Sequence, residues 1–417
     1  MKKVIALVLA LAMIFALAAC GETKPTPPPA SDGNGTPGTP ETPSAEVYKV
    51  GMVCIGDENA AYDRNFYMAA DAARERLAQE GINIEWTYTY NHPEGDVVAT
   101  DCQELAEAGC IAVFLNSYGM EPAMLTVAAD YPDTVFVAMT NEGSRNDDLD
   151  NTVNAFPSIY EGRYIAGVAA GCKLKEMIDN GEITAEEAVM GYVGAFPFAE
   201  VVSGYTAFFL GARSICPSVT MKVKFIGSWG DPTMEANTAQ DLIDNGCVLI
   251  SQHSDSTTPA TTAQSNGALH VGYNISMSDV APEASIISSR IDWTNYMVYV
   301  IRTVVKGEKV DQDYCGHGLA DGDVALTELN TAIAAEGTQE AMDAAAAKIA
   351  SGELQVFDIN TFTVGGQPVT SAMAIDTDGD FVPDSEEAIF DGAFHESYFK
   401  SAPYFGLRID GIILLNE

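Results

Sequence analysis

Lys49-Val50-Gly51-Met52-Val53-Cys54-Ile55, then Asp57-Glu58-Asn59-Ala60-Ala61-Tyr62, then a run from Asp63 to Glu80 with Phe66, Ala69, Ala73 and Leu77 on one helical face, set out a buried strand, a polar turn and an amphipathic helix. The alternation continues. Residues 82–90, rich in aromatic and β-branched side chains, read as a strand, 97–108 as a helix, 111–115 as a strand, 122–130 as a helix and 135–139 as a strand. Repeated β–α units of this length predict a parallel sheet covered by helices.

A second series follows. Residues 160–178 read as a helix, and Gly167 and Gly171 within it predict a close helix contact. A strand at 189–193 precedes a helix at 200–215 with Val201, Tyr205, Phe208 and Ala212 at helical spacing. Then come strands at 222–226, 248–251, 270–273 and 285–288, with helices at 232–245 and 293–305. The 417 residues exceed what one core usually serves. The expected fold class is therefore α/β, with two doubly wound parallel-sheet lobes.

Ligands in such sheets sit beyond the carboxyl ends of the strands. The segments just after the strands supply Tyr62, Ser117, Tyr118, Trp229, His253, Asp255, Tyr273, Asn274 and Trp293. Aromatic rings beside amides, hydroxyls and carboxylates suit a flat, neutral heterocycle, with rings stacking on its faces and polar groups reading its edge. Each residue also has a structural reading. Trp229 and Trp293 could cap the core, Asp255 could cap a helix near Pro259, and His253 could be a satisfied interior histidine.

Several of these stretches together resemble the basic membrane protein family of ABC-transporter binding lipoproteins. They are Phe114-Leu115-Asn116-Ser117-Tyr118-Gly119, Tyr131-Pro132-Asp133, Tyr160-Glu161-Gly162-Arg163-Tyr164, Trp229-Gly230-Asp231-Pro232 and Gln252-His253-Ser254-Asp255-Ser256. The resemblance runs from about residue 48 to about 307. It implies a type I periplasmic-binding-protein fold with three crossovers, and lobes of residues 47–158 plus about 279–325 and of 159–278 plus about 326–417. It also implies capture of a purine for an ABC import permease. The Gln-His-Ser-Asp-Ser run and Asp292-Trp293 resemble the subgroup that takes free bases. Asn274 and Ser276 stand where nucleoside binders of the family tend to carry acids.

The ends carry separate signals. Lys2 and Lys3, an apolar run to Ala19 and the sequence Leu17-Ala18-Ala19-Cys20 have the layout of a secretory leader and resemble a lipobox, with Cys20 as the lipid anchor. Residues 21–46, rich in Pro, Gly and Thr, read as a disordered tether. The expected location is the outer face of a bacterial cytoplasmic membrane. Cys54, Cys102, Cys110, Cys172, Cys216, Cys247 and Cys315 remain; their odd number leaves at least one unpaired, and buried free thiols are the default.

Near the C-terminus, Asp376, Asp378, Asp380, Asp384 and Glu387, with the Val382 carbonyl, follow the spacing of a calcium loop, although Phe381 replaces the turn glycine. A structural calcium is the only cofactor expected. The formal charge of −38 works against nucleic acid and strongly anionic ligands. No Gly-x-Ser-x-Gly elbow or His-Glu-x-x-His pair occurs, so a monomeric binder is expected rather than an enzyme. A secreted hydrolase built on a carboxylate pair, and a tethered sensor for a nucleoside or another small solute, are the alternatives.

Overall fold

A computed structural model describes residues 46–141, 143–146, 148–379 and 382–416. Cys20, the tether through residue 45 and Asp380 lie outside them. The first series gives β1 (Val47–Val53), α1 (Ala61–Gln79), β2 (Asn83–Thr89), α2 (Val97–Glu107), β3 (Cys110–Leu115), α3 (Glu121–Ala128), β4 (Val135–Met139) and β5 (Thr152–Ala155). The second gives α4 (Ile159–Asp179), β6 (Val189–Gly194), α5 (Ala199–Ile215), β7 (Thr220–Phe225), α6 (Pro232–Asp244), β8 (Leu249–His253), α7 (Thr258–Ser265), β9 (Leu269–Tyr273) and β10 (Ser285–Ile291). Then come α8 (Thr294–Val305), β11 (Asp313–Tyr314), β12 (Val324–Leu326) and α9 (Thr338–Ala350). Short strands finish the chain: β13 (Met373–Ile375), β14 (Ser385–Glu387), β15 (Ile389–Phe390), β16 (Ala393–Phe394) and β17 (Ile412–Leu414).

The expected α/β class and the two parallel-sheet lobes are what the chain forms. One sheet runs β11-β5-β4-β3-β1-β2, with every neighbour parallel. The other runs β12-β10-β9-β8-β6-β7-β17, parallel except at the β12 edge. Inside each lies the same doubly wound order: β2-β1-β3-β4-β5 in the first, β7-β6-β8-β9-β10 in the second. Each therefore has its switch point between its first and third strands, β1/β3 and β6/β8, where a crevice opens for a ligand.

The chain passes between lobes three times: between β5 and α4, between β10 and α8, and between β11 and β12. The second passage corrects one expected boundary. Residues from about 279 were assigned to the first lobe, but β10 pairs with β9 of the second sheet, so the return falls at Asp292–Trp293. β12 likewise pairs with β10, so only α8 and β11 rejoin the first lobe. Backbone pairing decides this, because β10 is a buried run that needs a strand on both sides.

Each lobe has its own core. Phe66, Phe114, Trp293 and Tyr296 centre the first, and Tyr192, Phe208, Phe209, Phe357 and Phe405 the second. In the second lobe α4 and α5 meet backbone to backbone. A Cβ on Gly167 would lie 2.0 Å from the Phe208 carbonyl oxygen, and one on Gly211 would lie 2.0 Å from that of Tyr164. The seven described cysteines are all free thiols.

The acidic turn departs from a helix-loop-helix site. It is the tip of a hairpin in which β13 pairs antiparallel with β14. Asp376 accepts the backbone N–H groups of Asp378 and Gly379, and Asp384 accepts the Thr377 hydroxyl at 2.8 Å. Glu387 sits at the hairpin's foot, taking hydrogen bonds from Ser371, Ala372 and Ile389. Among the described residues no group of three or more His, Cys, Asp and Glu is arranged to hold a metal ion.

Candidate functional site

The first lobe positions its part of the site through one buried carboxylate. Asp63, in the first turn of α1, accepts the Gly56 N–H at 3.0 Å and the Asn116 amide at 2.7 Å, and Asn116 in turn accepts the Ile55 N–H at 3.0 Å. The turns after β1 and β3 are thereby locked together. Tyr62 and Ser117, the neighbours of these two residues, project from that lock. The Tyr62 hydroxyl donates to the Asn116 carbonyl, and its ring meets Phe66 edge-on at 5.0 Å. The Ser117 hydroxyl donates to Glu94 at 2.7 Å.

The second lobe uses a buried amide. Gln252, on β8, donates to the carbonyls of Ser254 at 2.8 Å and Ser256 at 2.7 Å, and its oxygen stands 3.1 Å from His270 Nε2. Burial lowers the His270 pKa to about 3, so the ring is neutral and donates to that amide oxygen. The turn 254–256 is thus shaped from beneath, and Asp255 stands at its crest, its N–H donating to the Trp229 carbonyl at 2.9 Å.

Asp255 does not cap α7. The Thr258 N–H donates to the Ser256 hydroxyl instead, at 3.1 Å. No donor among the described residues reaches the Asp255 carboxyl. Burial, with Asp63, Glu235, Glu200 and Glu94 nearby, pushes that carboxyl well above the ordinary carboxylate range. The residue is half-buried, and a partly desolvated acceptor without a donor favours a ligand that supplies one.

His253 lies between Glu200, 3.0 Å from Nε2, and the Tyr192 hydroxyl, 3.3 Å from Nδ1. Burial and the Arg163 guanidinium lower its pKa against the pull of Glu200, which leaves it neutral. Tyr273 packs edge-on against His253 at 4.9 Å, and Arg163 stacks over the Tyr273 ring at 3.5 Å. Arg163 is buried and donates to the Gln252 carbonyl at 3.1 Å, while Glu161 accepts the Leu319 N–H at 2.7 Å. Arg163 thus holds the end of β8, and Glu161 holds the segment between β11 and β12.

Seven of the nine expected residues line one cavity: Tyr62, Ser117, Tyr118, Trp229, His253, Asp255 and Tyr273. They come from both lobes, at both switch points. Across the cleft Tyr118 stacks on Phe198 at 5.9 Å, and Phe198 and Phe196 lean on Trp229 at 6.2 and 5.3 Å. The cavity is about 20 Å³, room for little more than one water, so the lobes stand closed on each other.

Two expected residues lie elsewhere. Trp293 is buried in the first core, stacked on Phe66 at 5.3 Å, because α1 supplies a ring of matching size behind it. Asn274 is buried at the end of β9 with φ 69°, its N–H donating to the Ser289 carbonyl at 2.9 Å. Two lining residues were missed in the sequence, Thr140 and Glu200. Thr140 follows β4 with φ 72° and donates to the Ala155 carbonyl, which repeats in the first lobe the arrangement at Asn274. Left-handed backbone at a non-glycine residue costs energy and clusters at sites of function.

Comparison with known proteins adds the following. A family model described as ABC transporter substrate-binding protein PnrA-like matches residues 49–359. A purine-binding protein of Brucella abortus is 31% identical over 313 residues, covering 75% of this chain and 83% of that protein. A Haloferax volcanii protein designated an ABC transporter glucose-binding protein is 31% identical over 303 residues, covering 72% of each. Among solved structures, an ABC transporter solute-binding protein from Conexibacter woesei shares the fold with a TM-score of 0.56 at 19% identity, covering 74% of this chain and 98% of that one.

Proposed function

Because the chain belongs to the Bmp family of ABC transporter substrate-binding proteins, which hold a small ligand for an import permease, we propose that its ligand is a purine, read in the inner cavity as the free base. The observation that carries this reading is the Asp255 carboxyl, without a donor and lining a cavity walled by Tyr62, Trp229 and Tyr273. A purine supplies what those groups lack. Its ring N–H groups donate to the carboxyl, and its two faces lie against the rings. Ser117 stands at the edge as a further polar partner, and His253, held by Glu200 and Tyr192, supplies a ring face. The family role is binding, not catalysis.

Two further parts of this reading rest on sequence. Cys20 carries the lipid that holds the protein at the outer face of the cytoplasmic membrane, with residues 21–46 as the tether. The turn at 376–384 takes a structural calcium ion through Asp376, Asp378, Asp380 and Asp384. Calorimetric titration with calcium checks the latter; no heat and an unmoved melting temperature would remove it.

The ligand is tested by thermal shift on the purified protein with adenine, hypoxanthine, their nucleosides, glucose and amino acids. The expected result is a rise in melting temperature with purines. Stabilisation by glucose alone would sink the purine reading and favour the solute for which the Haloferax relative is named.

A further inference from the structure

The chain continues past residue 359, where the family match ends, and the added part includes a loop, residues 395–405, that touches both lobes. Both ends of this loop are fixed in the second lobe. Phe394 and Phe405 meet edge-on at 4.8 Å in the second core, and Phe405 stacks on Phe357 at 4.2 Å. The loop is also closed on itself. The Phe405 N–H donates to the buried Glu396 carboxyl at 2.8 Å, the Tyr398 N–H donates to the Tyr404 hydroxyl at 3.2 Å, and that hydroxyl donates to the His395 carbonyl. A compact loop with its ends together, packed by its own side chains, moves as one piece.

Its tip belongs to the other lobe. Ser401 is buried, and its N–H donates to the Asp313 carboxylate at 3.1 Å. The Asn154 amide donates to the Ser401 hydroxyl at 3.2 Å and to the same carboxylate at 2.7 Å. Next in sequence, Ala402 packs in the first core, while Tyr404 is back in the second. Asn154 and Asp313 stand on β5 and β11, the last strands of the first sheet before two of the three passages between lobes.

The three passages are covalent and persist whatever the lobes do. The tie through Ser401 and Ala402 can be made and broken. When the lobes rotate apart, the loop follows the second lobe, where its ends are packed, while Asn154 and Asp313 follow the first. Hydrogen bonds tolerate only about half an ångström of stretch, so a small rotation pulls the tip free. Contacts present in one state alone shift the balance toward that state.

We propose that residues 395–405 form an interlobe latch, a loop of the second lobe whose tip seats in the first only when the cleft is closed. It holds the ligand-free protein nearer the closed form, which raises affinity and slows release of whatever is bound. The latch rests on closure of the lobes and not on the identity of the ligand.

Small-angle scattering of the full chain without ligand tests the latch directly, and calorimetry with hypoxanthine reads its effect on binding. Ser401→Asp sets a second carboxyl against Asp313 at a buried position, which disfavours the seated tip. The expected result is a ligand-free radius of gyration larger than that of wild type, the wild-type radius with saturating hypoxanthine, and an affinity lowered about fivefold to thirtyfold. Asp313→Asn added to Ser401→Asp removes the repulsion and should restore both readouts, which a damaged fold would not allow. Should Ser401→Asp not fold, Ser401→Ala, which only removes the hydroxyl bonded by Asn154, should move both readouts the same way, with affinity lowered about twofold to fivefold. Unchanged ligand-free scattering in both Ser401 variants, or a change that Asp313→Asn does not reverse, overturns the latch. Because scattering decides it without ligand, a wild-type protein that binds no purine sinks the purine reading alone.

Discussion

Asp255 is placed by its neighbours' bonds rather than its own. Gln252 shapes the turn from below and Trp229 receives the Asp255 N–H, while no donor among the described residues reaches the carboxyl. Its raised pKa means that the ligand-free folded chain binds this proton more tightly than the unfolded chain does. That contribution to stability is fully present below the ordinary carboxylate range and is lost as pH rises through the raised value. Asp255→Asn should therefore melt higher than wild type at pH 7 without ligand, by roughly 2 °C, flatten the pH dependence of melting, and weaken purine binding at least tenfold. Melting curves across pH with calorimetry check this; a variant that melts lower and binds normally would make Asp255 a structural residue. Asp255 and Trp229 were legible because they directly follow strands. Thr140 also follows a strand but brings no ring to draw notice, and Glu200 sits inside a helix whose apolar face dominates the pattern. Trp293 was misread because its local setting matches that of Trp229, and only the distant Phe66 distinguishes them.

Among the elements, the α4–α5 contact carries the most specific sequence signal. Gly167 at a helical position costs helix stability on its own, so its presence implies a close neighbour. The Phe208 carbonyl is that neighbour. Gly167→Leu should push the helices apart and destabilise the second lobe by about 3 kcal/mol or more, read by chemical denaturation; a loss below ~1 kcal/mol would show that the helices have room to separate. The strands and helices to residue 305 were readable in kind, with ends shifted by up to three residues, because apolar periods survive in a buried parallel sheet. β5 and β11 were not, since four-residue and two-residue strands show no period. The acidic turn shows the limit of spacing alone. Its oxygens fall at calcium positions, yet a hairpin, not a helix, follows.

At the scale of the whole molecule, the two lobes bring opposite walls of one site, and the inner cavity of about 20 Å³ leaves no room for a purine while they remain closed. Entry requires an open state, and a ligand that touches both walls must favour the closed one. Small-angle scattering should give a larger radius of gyration without ligand than with saturating purine; equal values would rule out capture by closure. The net charge of −38 bears on this too, since two acidic lobes repel each other at low ionic strength and screening by salt eases closure. Sequence periodicity gave the number of lobes, but not where the chain crosses between them, because β10 reads the same in either sheet.

Those crossings have a consequence for how the protein breaks. Neither lobe is one continuous piece of chain, since α8 and β11 return to the first after β10, and β12 and β17 then return to the second. A protease that nicks any one passage leaves the halves joined by the other two, so cleavage at the hinge releases no fragment. For the same reason neither lobe can be excised as a gene segment and expected to fold alone, and the binding unit is inherited, expressed and degraded whole.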